Sequence, residues 1–168
     1  MNLKTSHKFP VKPQTFWDSI YFDKEYNQAL YRDHIHAKRY EVLEYSDTGQ
    51  GIRRKVMVVP EQKAPRVIQK LIPGEFSYIE EGAFDRKEGT YRFKIVPSVK
   101  ADKITISGKV TAEPQGDGSV LRTIDMDLKA DIFAVGGQIE KFVGEQIQKG
   151  YEASYQFTVD WIRKHDLK

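Results

Sequence analysis

The 168-residue sequence has no cysteine, which excludes disulfides and thiolate metal ligands and leaves the redox compartment unreadable. It also lacks any run of 18 apolar residues, and the opening MNLKTSHKFPVKP carries no apolar core of a secretory leader. A soluble, cytoplasmic chain is the expectation. Excess charge of one sign is missing too: 27 Lys and Arg stand against 24 Asp and Glu, for a formal net charge of +3. The two signs are interspersed, so nucleic acid is not an expected partner. The local clusters Arg53-Arg54-Lys55 and Lys63/Arg66/Lys70 read as solvated faces of a strand and a helix rather than as contacts to an anionic surface.

Catalytic motifs are equally scarce. There is no nucleophile elbow, phosphate loop or dinucleotide fingerprint, and Gly49-Gln50-Gly51 and Gly116-Asp117-Gly118 lie in hairpin contexts unsuited to phosphate. Of the histidines, only His34 and His36 are close in sequence, and no third ligand stands at metal-binding spacing. No metal and no cofactor are expected. Glu80 and Glu81 are neighbours in a predicted strand and point to opposite faces, while Asp125 and Asp127 share a wet face. No pair of carboxylates is thereby placed for acid–base work.

The most organised stretch runs from Phe133 to His165. On a 3.6-residue period, Ile139, Val143, Ile147, Tyr151, Ser154, Thr158 and Trp161 gather on one side, and Glu140, Lys141, Glu145, Gln148, Lys149, Glu152, Asp160 and Arg163 turn away. This predicts one long amphipathic helix. The centre of its apolar face is small, with Gly136, Gly150, Ser154 and Thr158 along it. Close packing favours larger residues there, and helical glycine costs about 1 kcal/mol relative to alanine. Gly144 and Gly150 therefore imply either a close backbone approach or room for something bound; both readings remain open.

Ahead of this helix the chain alternates. Leu3–Phe9 predicts a first strand, then Gln14–Tyr21 and Asp23–His34 predict two short helices, with Asp23 placed to cap the second. Strands follow at Ala37–Tyr45 and Ile52–Val59, joined by a turn at Asp47–Gly51. Gln62–Leu71 reads as a short basic amphipathic helix between prolines, suited to transient membrane contact through residues 62–72, to gating a pocket, or to lying on a sheet edge. Four more strands, Glu75–Phe84, Gly89–Val96, Lys103–Ala112 and Ser119–Ala130, complete an antiparallel sheet with one dry and one wet face. A twisted sheet with one apolar face needs a cover, and the terminal helix is the element long enough to supply it. The expected class is α+β, with about seven strands in a single domain over residues 1–168.

This order resembles the START-like (SRPBCC) superfamily, the helix-grip fold of lipid-transfer START domains, polyketide cyclases and the birch-pollen-allergen family. The resemblance rests on the opening strand-helix-helix with Phe16 and Trp17, the long meander, and ADIFAVGGQIEKFVGEQI at residues 130–147. That junction is similar to one in an uncharacterised bacterial branch related to START lipid-transfer domains. The resemblance implies a pocket between the sheet and the terminal helix for a sterol, lipid, acyl chain or polycyclic compound.

Strand parity and helical phase nominate a wall of Trp17, Phe76, Tyr78, Phe93, Ile106, Met126, Val143, Ile147, Tyr151, Ser154, Thr158 and Trp161, with Glu80 and Arg122 as groups that orient a ligand. Isolated buried charges are costly, so these two must pair, meet water or contact a ligand, unless a bulge sets them at the rim. A non-enzymatic carrier or sensor of a hydrophobic, lipid-like molecule is the leading expectation. The alternatives are a cyclase- or hydratase-type enzyme using Tyr78, Tyr151 or Glu80 as acid or base, and a protein-interaction or chaperone-regulating domain. Oligomeric state is not legible.

Overall fold

The structure, a computed structural model, describes residues 1–61, 65–70 and 74–168, without the side chain of Val67. Strand β1 (Asn2–Phe9) leads through Pro13, at the first position of α1 (Pro13–Phe16), into a π-helical turn at Trp17–Tyr21. Asp23 then caps α2 (Lys24–Gln28) by accepting from the Tyr26 amide at 2.7 Å, and a second π-helical turn covers Ala29–His34. The buried Asn27 amide ties these pieces together by donating to the carbonyls of Tyr21 and Asp23. Both predicted helices are thus present, each widened in its second half.

The sheet is antiparallel throughout. Strands β2 (Arg39–Asp47), β3 (Gly51–Val59), β4 (Tyr78–Asp85), β5 (Thr90–Pro97), β6 (Ile104–Pro114) and β7 (Val120–Ala130) form a meander. The first strand returns beside the last, giving the order β1-β7-β6-β5-β4-β3-β2. Alternation sets the faces: Val120, Arg122, Ile124, Met126, Leu128 and Ala130 of β7 are all buried. Short α3 (Arg66–Gln69) lies between β3 and β4, and Gly136–Lys164 form the long α4. This is an α+β helix-grip architecture.

Local chemistry explains how α4 leaves the sheet. Gly136 sits against the Ala130 carbonyl, where a Cβ would collide. Glu140 reaches back, its Oε1 accepting from the Ala130 amide at 2.9 Å and its Oε2 lying 3.6 Å from the terminal ammonium. The periodic reading had Glu140 turned to water; the strand end's free amide draws it inward. Along its length α4 packs chiefly on β7, β1 and the Ala29–His34 turn.

Three further expectations change. Arg54, read as part of a solvated cluster, is buried, because Ile52, Arg54, Val56 and Val58 face inward together while Arg53 is exposed. The strand predicted from Glu75 begins at Tyr78, so Phe76 precedes it and parity does not place that side chain. The helix predicted at Gln62–Leu71 is helical over Arg66–Gln69, with residues 62–64 and 71–73 outside the described residues.

Candidate ligand-binding site

A buried ion pair stands on the inner face of β3 and β4. Arg54, 8% exposed, donates from Nη2 to Glu80 Oε1 at 2.9 Å and from Nη1 to the Tyr21 carbonyl at 3.1 Å. The Tyr91 hydroxyl donates to the same Glu80 oxygen at 2.8 Å. Gly82 makes this reach feasible, because the tip of the Tyr91 ring occupies the space a Cβ at position 82 would need. The guanidinium lies 5.2–5.4 Å from the rings of Tyr21, Phe22 and Tyr91, which compensates part of its lost hydration. Glu80 Oε2 is bonded to no described residue and is not sealed off.

Around this carboxylate converge the tyrosines Tyr21, Tyr31, Tyr40, Tyr78 and Tyr151. Burial raises the pKa of each hydroxyl, and the Glu80 charge raises it further. Each side chain nevertheless keeps some accessible surface, and none of these hydroxyls bonds to a described residue. These hydroxyls are thus poorly solvated and free of protein partners among the described residues. At neutral pH these phenols remain protonated donors.

The second buried guanidinium is differently placed. Arg122, 5% exposed, donates from Nη2 to His7 Nδ1 at 2.6 Å and lies over the rings of Phe9 and Tyr151. His7 stacks on Tyr155 at 4.6 Å, and its Nε2 lies 3.2 Å from Glu152. The neutral tautomer with its proton on Nε2 satisfies both contacts, and burial followed by the Arg122 charge lowers the His7 pKa. Arg122 Nε is enclosed with no acceptor. Glu80 and Arg122 therefore both face inward without pairing to each other, with the Tyr151 hydroxyl feeling both charges.

Between α4 and the β1/β7 seam runs a crevice of about 220 Å³, lined by Leu3, Thr5, Ile124, Met126, Ile147 and Tyr151, with Asn2, Lys4 and Gln148 at its mouth. Of the residues nominated from sequence, it gathers Met126, Ile147 and Tyr151. Tyr78 and Glu80 belong to the tyrosine-lined region, and the Phe76 ring centre is 6.5 Å from that of Tyr78. Val143 is partly buried against the main core. A second depression of about 420 Å³ over β2–β4, lined by Glu44, Arg53, Lys55 and Glu81 among others, gathers none of the nominated residues.

Trp17, Phe93 and Ile106 are buried in the main core, outside the crevice lining, Trp17 lying 4.4 Å from the Phe84 ring. Ser154 and Thr158 are buried, and Thr158 holds the Tyr26 hydroxyl at 2.6 Å, so this part of the small stripe serves close packing. Trp161 stacks on His165 at 4.0 Å near the end of α4. The two glycines divide likewise: Met1 packs over Gly144, whereas nothing lies within 4 Å of a Cβ at Gly150. Arg54, Tyr21, Tyr31, Tyr40, Tyr91 and His7 were missed. The alternation Ile52-x-Arg54-x-Val56-x-Val58 was the available signal for Arg54; the tyrosines come from separate elements, and spacing alone does not join them.

The seven-stranded antiparallel sheet and the long grip helix define the class by its fold: a helix-grip α+β protein. Within it, the chain belongs to the family described as Protein of unknown function (DUF2505), whose model matches residues 4–162. Solved structures share the fold at low identity. The Zhui aromatase/cyclase from Streptomyces sp. R1128 is 9% identical with a TM-score of 0.64, covering 98% of this chain and 94% of its own. A START superfamily protein from Mycobacterium smegmatis is 14% identical with a TM-score of 0.60, covering 96% and 98%. Norcoclaurine synthase from Thalictrum flavum, in complex with dopamine and hydroxybenzaldehyde, is 14% identical with a TM-score of 0.64, covering 100% and 89%. No curated protein matches by sequence. Among the described residues no helix is long and apolar enough to cross a membrane, and no cluster of metal-ligating side chains occurs.

Proposed function

We propose that this chain, as one cytoplasmic START-like domain, is a carrier or sensor that shelters a hydrophobic, lipid-like molecule between the sheet and α4 without transforming it. The observation that carries the reading is the set of tyrosine hydroxyls that are desolvated, accessible and unpartnered among the described residues. Donors turned inward and free of protein partners can bond the polar groups of a bound molecule in place of water. Apolar burial supplies the affinity: ~200 Å² removed from water contributes about 5 kcal/mol. Norcoclaurine synthase, with the same fold, holds dopamine and hydroxybenzaldehyde, which makes a small amphipathic aromatic ligand a natural variant of the proposal.

The cyclase-type alternative is less well served. Raised pKa values make Tyr78 and Tyr151 weaker acids and, at neutral pH, not bases. For α3, Ile68 packs with Ala130 and Ile139 while Arg66 and Lys70 are exposed. That arrangement suits a segment at the edge of the ligand space that touches an anionic membrane transiently during loading.

Native mass spectrometry of the purified protein, followed by organic extraction, tests the proposal. A copurifying lipid or aromatic molecule near one per chain is the expected result. A clean apo mass, with no thermal shift across a panel of lipids and polycyclic compounds, overturns it.

A further inference from the structure

Charge inside the grip is unbalanced. Glu80 is matched by Arg54, whereas among the described residues Arg122 bonds to no carboxylate: its polar partner there is a neutral histidine. The nearest acid, Glu152, is 66% exposed and holds the far nitrogen of His7, where solvent screens it. Nη1 of Arg122 has no partner among the described residues and is not sealed, and Nε is enclosed without one. Two guanidiniums against one carboxylate leave a net charge of about +1 in a region of low dielectric, which disfavours a cationic ligand and favours an anionic one.

The register sets this charge beside the crevice, whose lining does not include Arg122 itself. Successive inward cross-strand pairs of β1 and β7 are Leu3 with Met126, Thr5 with Ile124, and His7 with Arg122. The first two pairs line the crevice; the third lies one pleat further along, ~6.8 Å away in the strand direction. Tyr151 belongs to both, lining the crevice and lying beneath the guanidinium with an unpartnered hydroxyl.

Resting on the binding role proposed above, we infer that the ligand is a hydrophobic acid: an apolar body in the crevice, with its anionic group held by Arg122 and the Tyr151 hydroxyl. A guanidinium and a phenol are suited to a carboxylate or an equivalent monoanion, and the charge-assisted bonds would satisfy donors that the protein leaves free.

A matched probe pair tests this. 1-Anilinonaphthalene-8-sulfonate and N-phenyl-1-naphthylamine share one aromatic skeleton, and the first alone carries an anion. Fluorescence titrations compare their dissociation constants in the wild type, Arg122→Met and Arg122→Lys. Preference for the anionic probe is expected to fall at least 10-fold in Arg122→Met while the neutral probe still binds, and to survive in part in Arg122→Lys. A preference unchanged by Arg122→Met, with both probes bound, overturns the inference and leaves the binding role standing. Failure of both probes to bind the wild type overturns both.

A measurement on the wild type alone covers the case in which Arg122→Met does not fold. Displacing N-phenyl-1-naphthylamine with 2-naphthoate or its methyl ester, the acid is expected to act at lower concentration despite its weaker hydrophobicity. Equal displacement, or better displacement by the ester, overturns the inference.

Discussion

Two arginines are buried under the same helix-grip frame, and their surroundings differ. On β3, Arg54 meets a carboxylate, a backbone carbonyl and the rings of Tyr21, Phe22 and Tyr91. At the β1/β7 seam, Arg122 meets a neutral imidazole and the rings of Phe9 and Tyr151, and part of its donor capacity is unused. A buried charge whose counter-charge comes from the fold is a structural element; one whose counter-charge is missing is open to something else. The contrast separates a guanidinium that the fold neutralises from one that it leaves uncompensated.

Stability measurements offer the sharpest break of that comparison. Arg54→Met strands the Glu80 carboxylate, so urea unfolding should show a loss of about 3–5 kcal/mol. Arg122→Met strands only a neutral histidine and should cost clearly less. Equal losses would erase the distinction. Adding Glu80→Leu to Arg54→Met should recover much of the deficit, because removing both charges also removes the desolvation cost. Tyr91→Phe, which deletes one donor to Glu80 at 2.8 Å, should cost about 1.5–3 kcal/mol by the same assay.

Gly150, next in sequence to the crevice residue Tyr151, probes the space beside the helix. A Cβ there meets nothing within 4 Å, so Gly150→Ala should stabilise the protein by up to about 1 kcal/mol through helix propensity alone. Gly150→Trp should weaken binding of N-phenyl-1-naphthylamine in fluorescence titration by projecting a bulky ring into that space. Gly136→Ala should instead destabilise, since its Cβ would strike the Ala130 carbonyl. If the Gly150 and Gly136 substitutions to alanine behave alike, the open space at Gly150 is illusory.

The frame was legible because it is written in period. Alternation on β7 and the 3.6-residue repeat of α4 depend on local sequence, and the β1–β7 pairing closes a sheet whose order the meander nearly dictates. Glu80 and Arg122 were readable as inward charges for the same reason. Their partners were not. Arg54 sits on the neighbouring strand in a cluster that looked solvated, His7 on the returning first strand, and Tyr31 on a π-helical turn; only register and the third dimension bring them together. The small stripe on α4 divides between the two readings left open: Thr158 is small where Tyr26 bonds to it, and a Cβ at Gly150 would meet nothing within 4 Å.

The smallest expected effect tests why Arg122 lacks a counter-charge. Burial and the Arg122 charge hold the folded pKa of His7 below its ordinary 6.5, against the opposing pull of Glu152. The unfolded chain then binds more protons than the folded one as pH falls below about 6.5, so stability decreases with acidification from that point until the folded pKa is passed. Above 6.5 the contribution is fully present. His7→Gln should remove this component: between pH 7.5 and 5.5 the wild type should lose more stability in urea than the variant, by a modest margin. Protonation would also put a proton on Nδ1, displacing the hydrogen bond from Arg122 and adding a second positive charge beside it. A bound hydrophobic acid should therefore shrink the acid loss in the wild type more than in His7→Gln, linking the titration of His7 to the charge that Arg122 holds in reserve.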